Sequence, residues 1–282
     1  MSAAISTEVS AQDATQPQPR PPLLNGLRLS DLRLSAVLAP LAVGAAFLGG
    51  WQLAVDGLGI DPYIVPAPSA IWDQLVAARS NIVDGMVVTG RNALLGMLLG
   101  GLVGVLGAVV SSMVKVVDQM AVPIVAALSV VPIVALAPVL YTMFGAAVDT
   151  GRIVVAALAV SIPVYLNTLR GLRQVSAVHR ELMWAYAATP TQVVRTVTLP
   201  TATPYVFTGL RIASSLAVIS ALIAEYFGGP VGGLGKAITS AASSSNYPLA
   251  WAYVTGSIVL GLAFYVVTLL VELWFARHAP RT

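Results

Sequence analysis

"NALLGMLLGGLVGVLGAVVSSMV" (Asn92–Val114) contains no Asp, Glu, Lys or Arg. About 20 apolar residues carry an α-helix across a bilayer, whose hydrocarbon core is roughly 30 Å thick. The pattern recurs along the chain. Charge-free windows also cover Leu34–Val55, Gln119–Val148, Ile153–Leu169 and Ala237–Val271, and Thr196–Ala224 is interrupted only by Arg211. Of the 282 residues 57% are hydrophobic and 10% charged, and the mean hydropathy of +0.84 lies far from that of soluble domains. Six windows predict an all-α membrane protein with six transmembrane helices.

Within the opening stretch Gly96, Gly100 and Gly104 recur every four residues. That spacing puts three small residues on one helix face, where a second backbone can approach closely. The stripe is a candidate packing surface between spans or subunits; the simpler alternative is that membrane helices are rich in glycine.

Positive charge orients the spans. With the N-terminus cytoplasmic, the inner segments hold Arg20, Arg28, Arg33, Lys115, Arg170, Arg173, Arg180, Arg195, Arg277 and Arg281, and the outer ones Arg79, Arg91, Arg152 and Lys236. This is the bias of the positive-inside rule, and six spans then leave both termini cytoplasmic. Residues 1–33 read as a cytoplasmic tail, disordered over Met1–Pro22, with no apolar core of a signal peptide. A first transmembrane helix follows over 34–61. An external segment over 62–91 carries Pro62, Pro66 and Pro68, and then a short amphipathic helix with Ile71, Trp72, Leu75 and Val76 on one side. Its Trp suits the membrane interface, or the helix rests on other spans.

Span 3 carries Pro123, Pro132 and Pro138 in a 30-residue charge-free window and reads as one kinked helix. Carbonyls freed by proline need a protein or water partner in lipid, so "VPIVALAPVLYTMFG" is the best candidate for lining a path. Pro132, Pro138, Met143 and Phe144 are its candidate pathway residues, with Asn167 of span 4. Glu225, an exposed acid at the outer end of span 5, is either a pathway residue or an acid that ends the helix beside Gly228 and Gly229. Arg211 and Glu272 near the inner ends of spans 5 and 6 read as snorkelling or capping residues.

Between spans 4 and 5 the chain builds something else. Val178–Ala188 reads as a short helix with Leu182, Met183, Ala185 and Tyr186 on its apolar side. Thr189, Pro190 and Gln192 then form a capping box with proline at the first helical position. Val193, Val194 and Val197 give this second helix its apolar side, and Pro200 is expected to stop it. The product is a rigid two-helix bracket outside the membrane, suited to a partner groove.

"ELMWAYAATPTQVVRTVTLP" (Glu181–Pro200) resembles the signature loop of the permease subunits of bacterial ATP-binding cassette importers. The family's pattern is Glu-Ala-Ala, three residues, Gly, then an apolar residue before Leu-Pro. Glu181, Val197, Leu199 and Pro200 match it. Leu182 and Met183 replace the alanines and Ala187 the glycine, so a right-handed turn is expected at Ala187. "PYIVPAPSAIWDQL", "IPVYLNTLRGL", "LPTATPYVFTGLRIA" and "AEYFGGPVGGLG" are similar to the branch that imports nitrate, sulfonates, taurine and pyrimidine precursors.

The resemblance covers about residues 62–275. It implies a type I importer permease fold, with a transmembrane type-1 domain over 85–275 and a cytoplasmic coupling loop over 177–200. Glu181, Leu182, Met183, Tyr186, Ala187, Leu199 and Pro200 would then couple to the ATPase. The implied partners are two cytoplasmic ATPase subunits, a second permease subunit (identical or related), an extracytoplasmic binding protein and the lipid of the cytoplasmic membrane. The chain itself would be non-catalytic, with ATP and Mg bound by the ATPase.

Other chemistry finds little support. "GGPVGGLGKAI" ends like a phosphate loop, but Pro230 and Ala237 stand where glycine and Ser or Thr are required. His179 and His278 have no metal-ligand spacing, no cysteine is present, and no nucleophile elbow occurs. Scattered arginines give no nucleic-acid signal. An ion-coupled secondary transporter or channel is the alternative; it would favour intramembrane acids or inverted repeats.

Overall fold

The computed structural model describes residues 29–278. The disordered tail expected over Met1–Pro22 lies outside the described residues. Helix α1 spans Leu29–Leu58. Of the described residues, those up to Trp51 form one compact unit and those from Gln52 onward a second. The second unit contains the remaining helices.

Helix α2 (Pro68–Ala77) starts with Pro68 in its first turn, where the missing N–H costs nothing. It buries Ile71 while Trp72 stays exposed. Helix α3 runs unbroken from Arg79 to Met113. The segment expected to lie outside up to Arg91 is therefore partly this helix. No proline or turn residue pair separates Arg79 from Asn92, so nothing stops the helix extending beyond the apolar window.

The third expected span is not one kinked helix. Helix α4 (Lys115–Val130) keeps Pro123 inside it and ends before Pro132. Val131, with ψ at 127°, is extended, as a residue preceding proline prefers. A 3-10 turn over Ile133–Leu136 follows, then the short helix α5 (Ala137–Phe144) with Pro138 in its first turn. Among the described residues five helices are long and apolar enough to cross a membrane, and these pieces are not among them.

Helix α6 covers Thr150–Arg173, and helix α7 covers Ala177–Ala185. The short α8 (Pro190–Val193) leads through a π turn at Val194–Thr198 into α9 (Leu199–Phe227). Helices α10 (Leu234–Ser243) and α11 (Tyr247–His278) complete the order.

Helix α6 lies between α3 and α9 and packs along both. The glycine stripe of α3 explains half of this. A Cβ on Gly96 would strike the Ala156 Cβ, one on Gly100 the carbonyl oxygen of Ala157, and one on Gly104 would lie 2.8 Å from the carbonyl oxygen of Ser161. The partner of the stripe is thus α6 of the same chain. At the end of the bundle far from the bracket, Ala137, Tyr141, Val155 and Ala224 are buried together with Ile133 and Leu140 against them. The Tyr141 hydroxyl donates to the Ala224 carbonyl at 2.9 Å, which ties α5 to α9. At the bracket end Arg211 of α9 pairs with Glu272 of α11 at 3.1 Å, so two residues expected to act separately answer each other.

Candidate functional site

The bracket is built from local hydrogen bonds. Ser176 caps α7 by accepting from the His179 N–H at 3.2 Å. Ala187 then adopts a left-handed conformation, φ +48°, which corrects the right-handed turn expected there. The reason is visible in the bonds it permits. The Ala187 N–H reaches the Trp184 carbonyl at 2.9 Å and the Ala188 N–H the Met183 carbonyl at 3.0 Å. Together these make a Schellman closure, with alanine where glycine is usual.

The capping box expected at Thr189 is formed. The Thr189 N–H donates to Gln192 Oε1 at 2.7 Å, and the Gln192 N–H to Thr189 Oγ1 at 3.4 Å. Pro200 does not stop the second helix. It falls in the first turn of α9, where it needs no intrahelical donor, and the wider π turn ahead of it leaves room for its ring. Pro190–Phe227 is consequently one helical run of 38 residues. The bracket is joined to a span rather than hung from a loop.

Its surface is apolar. Trp184 is 89% and Tyr186 76% exposed, and Val178, Leu182 and Leu199 are exposed beside them, while Met183 and Pro200 are half-buried and Glu181 faces outward. Trp184 was not among the coupling residues expected from the family pattern, because that pattern leaves its position unspecified. Leu182, Trp184 and Tyr186 are thus large side chains grouped, exposed, on one short helix.

The pathway candidates separate into two groups. Pro132, Pro138, Met143 and Phe144 are exposed on the broken segment between α4 and α6. Asn167 instead sits half-buried in the α6–α9 contact. Its Nδ2 donates to the Pro163 carbonyl at 2.8 Å, and its Cβ would be 3.1 Å from a Cβ on Gly209.

Glu225 belongs to neither group. It is fully buried within α9, which corrects its reading as an exposed acid at a helix end. Its Oε2 accepts from the Thr89 hydroxyl at 2.8 Å and from the Gly235 N–H at 3.0 Å. Arg152, also fully buried, lies 3.9 Å from Oε1 and 3.2 Å from Asp149, and it donates to the Pro230 carbonyl. Arg91 of α3 pairs with Asp149 as well. Arg152, expected among the outer segments, lies instead fully buried in the first turn of α6.

Residues 96–282 match the family of binding-protein-dependent transport system inner membrane components. The chain belongs to this family. A probable ABC transporter permease protein of Haemophilus influenzae is 31% identical over 230 residues, covering 81% of this chain and 93% of that one. The riboflavin transport system permease protein of Chloroflexus aurantiacus is 32% identical over 160 residues, which are 57% of this chain and 59% of the relative's length. In fold, the chain is similar to the inward-facing MetNI methionine ABC transporter, with a TM-score of 0.58 at 17% identity over 73% of this chain and 99% of that one. The fold is that of an ABC importer permease, and membership makes this a multi-pass membrane protein.

Proposed function

We propose that this chain is the permease subunit of an ATP-driven importer and moves a small solute across the cytoplasmic membrane by alternating access. The carrying observation is the bracket. Its exposed Leu182, Trp184 and Tyr186 stand on a capped helix, and the capping box of the next turn continues helically into α9. In this reading two cytoplasmic ATPases hold the two brackets of a permease dimer and bind ATP and Mg. As ATP draws them together, the stiff connection moves the spans, because a floppy joint would absorb the displacement. A binding protein delivers the solute on the opposite side.

Co-purification and reconstitution test this. The chain with its Walker-type ATPase should form a stable complex and take up solute only with ATP. Deleting Val178–Ala188 should abolish ATPase association while the chain still inserts into the membrane. Unchanged assembly, or uptake by the chain alone driven by an ion gradient, refutes the proposal.

For the solute, the broken segment supports an uncharged, flat heterocycle over a small anion. No Lys or Arg occurs between Gln119 and Val148 to attract an anion, whereas Met143 and Phe144 are exposed there. A riboflavin permease is among the similar proteins, beside permeases named for bicarbonate and aliphatic sulfonates, so the lining and not the similarity carries this choice. The partner binding protein should be stabilised against thermal unfolding by a pyrimidine or flavin; stabilisation by nitrate or taurine instead overturns the assignment.

A further inference from the structure

Helix α10 packs on α9 and α11 and buries Leu234 and Ala241, but the loop Gly228–Gly233 that leads into it has few side chains with which to hold its place. The loop is glycine-rich, and Gly233, at the N-cap of α10, has no side chain to satisfy the first helical N–H groups. Other helices supply what it lacks. Thr89 of α3 accepts from the Leu234 N–H at 2.9 Å, and Glu225 of α9 accepts from the Gly235 N–H. A carboxylate at a helix N-terminus is favoured by the helix dipole as well as by the bond. Arg152 of α6 completes the set through the Pro230 carbonyl. The fit leaves no slack: a Cβ on Gly233 would overlap the Glu225 carboxylate, and one on Gly235 would strike the Leu222 carbonyl.

Burying both an arginine and a glutamate without exposure is expensive, and apolar residues of similar volume often serve stability as well. What apolar residues cannot do is bind the backbone of a loop at three defined points. We propose that Glu225, Arg152 and Thr89 are positioning residues that clamp the α9–α10 loop and α10 to the α3–α6–α9 bundle, so that these elements move as one body during transport. The transport consequence rests on the importer reading above; the clamp itself does not.

Amide hydrogen exchange on the purified complex with its ATPase, combined with reconstituted uptake, tests the clamp. Glu225→Gln, which removes the charge facing the α10 N-terminus, and Thr89→Val, which removes the acceptor of the Leu234 N–H, should each speed exchange around Leu234 and Gly235 by up to about tenfold. Exchange in α7 and α8 should not change. Uptake per ATP hydrolysed should fall, because a loosened α10 no longer follows the bundle, and Thr89→Ser should restore both readouts. Unchanged exchange in both variants overturns the clamp even if uptake fails. Faster exchange with an unchanged uptake-to-ATP ratio overturns its role in transport. If Glu225→Gln fails to fold, Thr89→Val, which removes no charge, decides alone. Should the wild-type complex hydrolyse ATP without uptake, the importer reading fails and the exchange result still judges the clamp.

Discussion

Glu225 Oε2 and the Gly235 N–H, 3.0 Å apart, put a carboxylate at the N-terminus of α10. The sequence there, Gly-Gly-Leu-Gly-Lys, resembles a phosphate-binding turn without meeting its pattern. The structure shows why the turn nonetheless looks built for an anion: the anion is the protein's own side chain. Backbone N–H groups at a helix start attract negative charge from whatever source is nearest.

Gly100→Ala should destabilise the chain by about 1–3 kcal/mol, since the new methyl meets the Ala157 carbonyl and backbone cannot step aside. Gly107→Ala is the control. Its Cβ would lie 3.4 Å from a Tyr165 ring carbon, an ordinary contact, and stability should stay within about 0.5 kcal/mol of wild type. Thermal unfolding in detergent compares the two.

Ala187→Gly should stabilise the bracket by about 1 kcal/mol, because glycine adopts the φ of +48° without the cost alanine bears. Ala187→Val should destabilise it by more. Exchange protection of the Ala188 N–H, which closes onto Met183, reads both changes locally.

Thr189→Ala removes one side of the capping box and should cost about 1 kcal/mol of local stability. Affinity for the ATPase should weaken correspondingly, by up to about fivefold. Titration of the purified ATPase against detergent-solubilised variants measures it. An affinity equal to wild type means that the second helix is not part of the docking surface.

Arg211 and Glu272 should be coupled by about 1 kcal/mol in a double-mutant cycle of Arg211→Gln and Glu272→Gln, as for other interhelical polar pairs in membranes. The double variant should lose less stability than the two single losses added together. Strict additivity would mean that the pair is incidental.

Much of this protein is written in local sequence. The charge-free windows, the Thr-Pro-Thr-Gln capping box and the glycine stripe depend on periodicity and neighbours a few residues apart, so each was legible without a fold. The end of α4 was partly legible too, since Pro132 forces Val131 out of the helical region. Pro200 misled for the complementary reason: proline ends one helix or begins another, and only the π turn before it decides which.

Tertiary structure decided the rest. Thr89, Arg152 and Glu225 are 63 or more positions apart from one to the next, and no local pattern links them. Their chemistry exists because α3, α6 and α9 pack closely enough, along surfaces of glycine and alanine, to bring three side chains to one loop. Ala187 shows the same division within a single residue. Its intrinsic preference is against φ > 0, and the two hydrogen bonds of the closure outweigh that preference. Sequence alone determined that the chain enters the membrane and where it builds its bracket. Which polar groups are buried, and against what, depended on contacts between helices far apart in the chain.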